Sequence, residues 1–238
     1  MADPERRFFF LHAMRTGGTT FVWHLKANFG PTHVFPTPED APGDHVSVTS
    51  VEYLRSVPRE RWDDFTAVTG HFPYFVLELL PHRYEKLTIL REPVARTASF
   101  LQQWQRVPGA WQGLPLEQIY DDPQIIPHYR NHMTKLFGLT VDAGHYAVRV
   151  DVDDAFMARA KTNLESMDVI GFTENHGDFI DQVVARYGLR RPSMPDQHVT
   201  DGEPLPASLL ERIRRDNAAD IELYEHAQAL VANRRGSS

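Results

Sequence analysis

Residues 8 to 20, FFFLHAMRTGGTT, run a continuous apolar segment straight into a glycine and threonine turn. A buried strand that breaks at Gly17 and Gly18 into a helix leaves the first N–H groups of that helix pointing at the turn, where the positive end of its dipole also lies. Paired glycines let the backbone approach a ligand closely. Thr16, Thr19 and Thr20 bring further loop contacts, with Thr19 and Thr20 expected to cap the helix and offer hydroxyls, and Arg15 adds a forked, permanently charged donor. The segment is therefore expected to hold a phosphate or sulfate group.

Two familiar phosphate loops do not fit. The NTPase pattern needs lysine directly after its last glycine, whereas here the cation precedes the glycine pair. The dinucleotide pattern needs three spaced glycines, and Gly17 and Gly18 are adjacent. The segment instead resembles the 5′-phosphosulfate loop of sulfotransferases that use 3′-phosphoadenosine 5′-phosphosulfate (PAPS), commonly FLHIPKTGGTT in the carbohydrate branch. Ala13, Met14 and Arg15 depart from it, and lysine is the usual residue at the Arg15 position.

Residues 86 to 104, KLTILREPVARTASFLQQW, read as a buried strand, a charged turn and an amphipathic helix starting near Pro93. They resemble the 3′-phosphate motif of that family, which implies nucleotide binding by Arg91 and Ser99. Residues 67 to 75, AVTGHFPYF, place His71 in an irregular turn after a short strand. In relatives resembling heparan sulfate 2-O-sulfotransferase such a glycine-histidine turn supplies the general base, and His71 takes that role by resemblance. Its ordinary pKa near 6.5 suits proton removal at neutral pH. The resemblance runs from Phe8 to about Tyr187 and includes NHMTKLFG, residues 131 to 138.

The expected architecture is α/β, a P-loop-like three-layer fold with a central parallel sheet flanked by helices. Strand-then-helix patterns recur at residues 8–29, 66–80, 86–106 and 168–188. Residues 153–166 carry a further helix, and the C-terminal region reads as a long helical stretch broken near Asn217. With 238 residues, 42% of them hydrophobic, one domain spanning 1–238 is expected. Two proline-rich stretches, within 31–65 and 107–127, are candidate lids or acceptor-pocket walls. Trp104, Trp111 and Asn131 are candidate acceptor contacts.

Neither disulfides nor thiolate metal sites are open to a chain without cysteine. His128 and His132 stand four apart, the spacing of one helix face, without a glutamate or cysteine partner, and are read as structural or solvent-facing. No metal is expected. The run Phe8–Leu11 is too short to span a bilayer and no signal-peptide pattern appears, so no membrane anchor and a cytoplasmic, bacterial setting are expected. A net charge of −7, from 25 basic and 32 acidic residues, disfavours nucleic acid and long polyanions.

The resemblance implies transfer of a sulfuryl group from PAPS to the hydroxyl of a small or glycan acceptor, releasing adenosine 3′,5′-bisphosphate (PAP), with His71 and Arg15 catalytic. Two other readings stay open: a noncatalytic PAPS or PAP binder, and a nucleotide-dependent phosphotransferase. Neither the acceptor nor the oligomeric state is legible in the residues.

Overall fold

The computed structural model describes residues 6–40, 46–191 and 205–236. Strand β1 (Phe8–Leu11) is buried at every position, as expected of a central parallel strand covered on both faces. Its alternate side chains enter two separate cores. Phe8 and Phe10 face helix α1 (Gly18–Phe29), whereas Phe9 and Leu11 face the opposite layer.

The chain then forms β2 (Val34–Phe35), α2 (Val46–Thr49), α3 (Val51–Ser56), β3 (Ala67–Gly70), β4 (Glu85–Leu90) and α4 (Pro93–Arg106). Next come α5 (Leu116–Asp121), α6 (Ile126–Tyr129), α7 (His132–Gly138) and α8 (Asp154–Glu165). Strand β5 (Val169–Phe172) is followed by α9 (His176–Tyr187), α10 (Ala207–Asp216) and α11 (Ala218–Gly236). All five strands are parallel in the order β2-β3-β1-β4-β5. Helices α1 and α9 cover one face through Phe21, Leu25, Phe179 and Val183; α7, α8 and α11 cover the other through Leu136, Ala160 and Leu223. The result is the expected three-layer α/β arrangement.

The order places a topological switch at β1, because the chain builds outward to β3 on one side and β4 on the other. Crevices at such points, beyond the carboxyl ends of the strands, are where open α/β sheets bind ligands. The segments singled out for the phosphate loop, the base and the 3′-phosphate arginine leave that edge: residues 12–17 after β1, His71 after β3 and Arg91 after β4.

Several local expectations change. The stretch 66–80 yields β3 but only a 3₁₀ turn over Tyr74–Glu78, confined between Pro73 and Pro81. Val34 and Phe35 pair with Ala67 and Val68, so the stretch 31–65 contributes the edge strand of the sheet as well as connecting segments. Part of its proline-rich run, 41–45, lies outside the described residues, as does the end of the C-terminal tail. Within 107–127, α5 packs against α4 and α10 through Leu116 and Ile119. The helical break near Asn217 is present: the Asn217 amide donates to Ile213 O at 2.9 Å between α10 and α11. No helix of the described residues is long and apolar enough to cross a membrane.

Candidate active site

The turn after β1 is built around two glycines with different duties. Gly17 is the residue before α1 and adopts φ 79°, a left-handed conformation that costs glycine little. Gly18 is needed for space, since a Cβ there would sit 2.2 Å from Cδ2 of His12. No side chain caps α1, and Thr19 and Thr20 fall inside its first turn, which corrects the capping role expected of them. The left-handed Gly17 occupies the capping position and has no side chain to bond the first N–H groups; Thr20 N donates to Gly17 O at 3.2 Å, and the N–H groups ahead of it face the turn without a side-chain cap. Gly18→Ala is expected to destabilise the protein by about 1–3 kcal/mol through overpacking against His12. It should weaken nucleotide binding in parallel; an unchanged melting midpoint and affinity would show that the loop tolerates the methyl.

Thr16 is buried and spends its hydroxyl inside the turn, donating to Ala13 O at 2.8 Å. Its own carbonyl accepts from Thr173 Oγ1 at 2.7 Å, which fastens the turn to the end of β5. Arg15 lies at φ 67°, an uncommon backbone state for a side-chain-bearing residue. That state aims the guanidinium at α4: Nε and Nη2 donate to Ser99 Oγ at 3.1 and 2.9 Å, and Nη1 donates to Gln103 Oε1 at 2.6 Å. Arg91 Nη1 in turn donates to Arg15 O at 3.2 Å. Arg15, Arg91 and Ser99, separated in the sequence, thus form one contiguous polar cluster.

The cluster is strongly positive. Loss of hydration, then the charges of Arg91 and Arg106, pull the Arg15 guanidinium below its ordinary value. Arg91 is lowered chiefly by desolvation, with Glu174 and Glu92 opposing. Both carboxylates are tied down: Glu92 caps α4 by accepting from Val94 N and Ala95 N, and Glu174 accepts from Glu92 N and from Tyr224 OH. An anion brought to Arg15 and Arg91 relieves their mutual repulsion.

His71 follows β3, on the opposite side of β1 from β4 and Arg91. Its Nδ1 lies 2.6 Å from His12 O, and a carbonyl only accepts, so Nδ1 carries the proton. In neutral imidazole Nε2 then holds the lone pair, the tautomer a general base requires. The His12 ring lies 4.6 Å away and the Tyr146 ring 6.5 Å away, bracing the imidazole on both sides. Burial, then the charge of His71, holds His12 well below its ordinary pKa, so it stays neutral. Tyr146 also contacts His128, His132 and His145 and points its hydroxyl at Met14 Sδ, 3.6 Å away.

His128 and His132 do not share a helix. The first lies in α6, the second starts α7, and Asn131 between them turns the chain at φ 47°. His132 is fully buried and its Nε2 accepts from Met14 N at 3.1 Å, supporting the loop from below. Asn131 joins the helix corner to the C-terminal region: its N–H donates to Asn217 Oδ1 at 2.9 Å and its side-chain oxygen accepts from Asp220 N at 3.3 Å. Trp104 and Trp111 pack edge to face at 5.0 Å, and Trp111 Nε1 donates to Asp122 Oδ2. Among the described residues no group of three or more His, Asp or Glu side chains is arranged to hold a metal ion. A cavity of about 790 Å3 opens beside Asp168 at the start of β5, the sheet edge opposite this chemistry.

Sequence reasoning missed Gln103, Tyr146, Thr173 and Glu174. Gln103 carried a signal, one helical turn after Ser99 on the same face of α4. Thr173 and Glu174 follow a strand end and are found once the strand is placed in the sheet; Tyr146 lies in irregular chain without a local pattern.

No family model matches the chain. Heparan-sulfate 6-O-sulfotransferase 2 of Danio rerio is 25% identical across 94% of this chain, and that of Homo sapiens is 26% identical across the same share. The chain spans 58% and 44% of those relatives, about half their length. The structure of a sulfotransferase from Alicyclobacillus acidocaldarius covers 95% of this chain and 96% of its own, with TM-score 0.46 and 18% identity. By sequence the chain is similar to these sulfotransferases, and the two named relatives carry the 6-O rather than the 2-O name.

Proposed function

We propose that the chain moves a sulfuryl group from PAPS to an acceptor hydroxyl, with His71 as the base and the cluster of Arg15, Arg91 and Ser99 as the nucleotide site. The observation that carries this reading is the convergence, at one sheet edge, of an uncapped helix start, three linked phosphate donors and a histidine whose Nε2 lone pair is set by His12 O. The residues fit the nucleotide: the free N–H groups of α1 suit the 5′ end, and Arg91 with Ser99 suits the 3′-phosphate that distinguishes PAPS from ADP-type nucleotides.

PAPS when bound supplies the electrophilic sulfur, whose bond to the phosphate oxygen breaks as the acceptor oxygen bonds to it. The protein's part is positioning and charge. His71 Nε2 takes the hydroxyl proton, while Arg15 and the α1 N–H groups stabilise negative charge on the departing phosphate. Tyr146 and the His12 ring keep the imidazole from turning away. The acceptor class that the relatives' printed names favour is a glycan; with a net charge of −7, a short or singly charged acceptor suits this chain better than a long polyanion.

Calorimetric titration of PAP and ADP tests the nucleotide site without knowledge of the acceptor. PAP is expected to bind more tightly than ADP, and Arg91→Ala and Ser99→Ala each to weaken PAP by about 10- to 100-fold, the loss of charge-assisted hydrogen bonds. Equal affinity for the two nucleotides, or indifference to both substitutions, would overturn the assignment. PAP binding without turnover on any hydroxyl acceptor would favour a noncatalytic binder.

A further inference from the structure

A cavity of about 260 Å3 opens between the α6–α7 corner and residues 148–151, away from the donor cluster. Three cations line it, Arg130, Lys135 and Arg149, with one carboxylate, Asp151; Arg130 is also paired outside the lining, its Nη2 3.3 Å from Asp216 Oδ2. Lys135 is 2% exposed, and its ammonium donates to Pro127 O and to Val148 O, the latter at 3.1 Å. Arg149 Nη2 likewise reaches a main-chain oxygen, Pro123 O, at 3.4 Å. Carbonyls satisfy N–H donors without neutralising a charge, so a buried ammonium held by them remains poorly compensated. Burial brings Lys135 down to about 7; Asp220 opposes this, and Arg96 and Arg130 add to it. An anion in the cavity adds to the counter-charge that Asp220 gives Lys135.

From this cavity and its partners we propose a second anion site, in which Lys135 and Arg149, with Arg130 at the rim, hold the carboxylate or sulfate group of a molecule about the size of one sugar ring. The volume lies just under the roughly 300–1,000 Å3 of drug-sized ligand sites, which suits a single ring or a small ion rather than an extended chain. Asn131, which also lines the cavity, fixes the helix corner that separates Arg130 from Lys135. The proposal rests on the cavity and not on the transferase reading.

Glucuronate and, separately, inorganic sulfate are titrated into the protein saturated with PAP. The titrations are repeated in the Arg91→Ala/Ser99→Ala double variant without nucleotide, so that a failure of the nucleotide site is distinguished from a failure of this one. One saturable equivalent is expected in the PAP-saturated protein; in the double variant the open start of α1 and Arg15 can also take sulfate, so the equivalent read there is the one that Arg149→Met weakens. Arg149→Met should weaken it about tenfold or more, the loss of one charge-assisted hydrogen bond, with the melting midpoint unchanged. Lys135→Met should also weaken it, with a lower melting midpoint because Pro127 O and Val148 O lose their donor; Arg149→Met carries the test if the lysine variant fails to fold. Glucuronate bound in preference to sulfate identifies a sugar acid as the source of the anion; sulfate bound equally identifies the free ion. The proposal is overturned if neither anion saturates, or if Arg149→Met changes neither affinity.

Discussion

His71→Ala is expected to lower turnover of PAPS with a hydroxyl acceptor by about 10²–10⁴-fold, the usual contribution of a positioned general base. Affinity for PAP should stay as in the parent protein, because His71 follows β3, on the other side of β1 from Arg91, and makes none of the bonds that join Arg15, Arg91 and Ser99. The split between rate and binding is what identifies the role. A histidine that merely braced the turn after β3 would, when removed, loosen His12, whose carbonyl it binds, and so disturb the α1 loop and the nucleotide affinity with it. Measured together, an unchanged PAP affinity with a collapsed kcat supports the base. Wild-type turnover by the variant would remove His71 from the chemistry, and parallel loss of binding and rate would make it a loop brace.

Asp220→Ala is expected to cost about 3–5 kcal/mol of folding stability, the range for removing one partner of a buried ion pair. Asp220 is fully buried, and its Oδ2 lies 3.9 Å from Arg96 Nε, which is buried as completely. The same carboxylate accepts from Met133 N at 3.2 Å, from Thr134 N at 2.7 Å and from Thr134 Oγ1 at 2.9 Å, so it also closes the start of α7. Its removal strands an arginine whose Nε and Nη1 have no hydrogen-bond partner of their own. Burial already draws that guanidinium down to about 10 while Asp220 holds it up and Arg91 lowers it further. Arg96→Met should cost less, because methionine fills much of the space and the Asp220 carboxylate left behind keeps its three N–H and O–H donors. Urea denaturation of the two variants checks the order; an Asp220→Ala loss below about 1 kcal/mol would mean that the pair contributes no more than a surface contact. The active-site loop depends on this joint through α7, whose first residue, His132, accepts the Met14 N–H.

Much of the molecule was legible in its residues where the signal is contiguous. The run Phe8–Leu11 reads as a buried strand because four apolar residues in succession suit only an element covered on both faces. Pro93 marks the start of α4 because its missing N–H and fixed φ suit the first helical position, and Glu92 caps the same turn. Legibility fell where two conformations share one composition. Thr19 and Thr20 are good caps, yet the left-handed Gly17 starts the helix one position earlier. His128 and His132 have helical spacing, yet Asn131 breaks the helix between them. The run from Phe75 to Leu80 is apolar enough for a helix, and the flanking prolines leave room only for a 3₁₀ turn.

By itself the sequence determined the strand-to-helix turn that can receive an anion, the alternation that makes a parallel sheet, and the residue types that reach the sheet's carboxyl edge. These follow from neighbours in the chain, whose sterics and hydrogen bonding act over a few residues. Only the tertiary structure decided the pairings. Arg15 meets Ser99 across 84 positions, and His71 has its proton placed by a carbonyl 59 positions away. Those meetings depend on β3 and β4 flanking β1, an order set by how whole strands and helices pack over two cores, and no local pattern of residues records it.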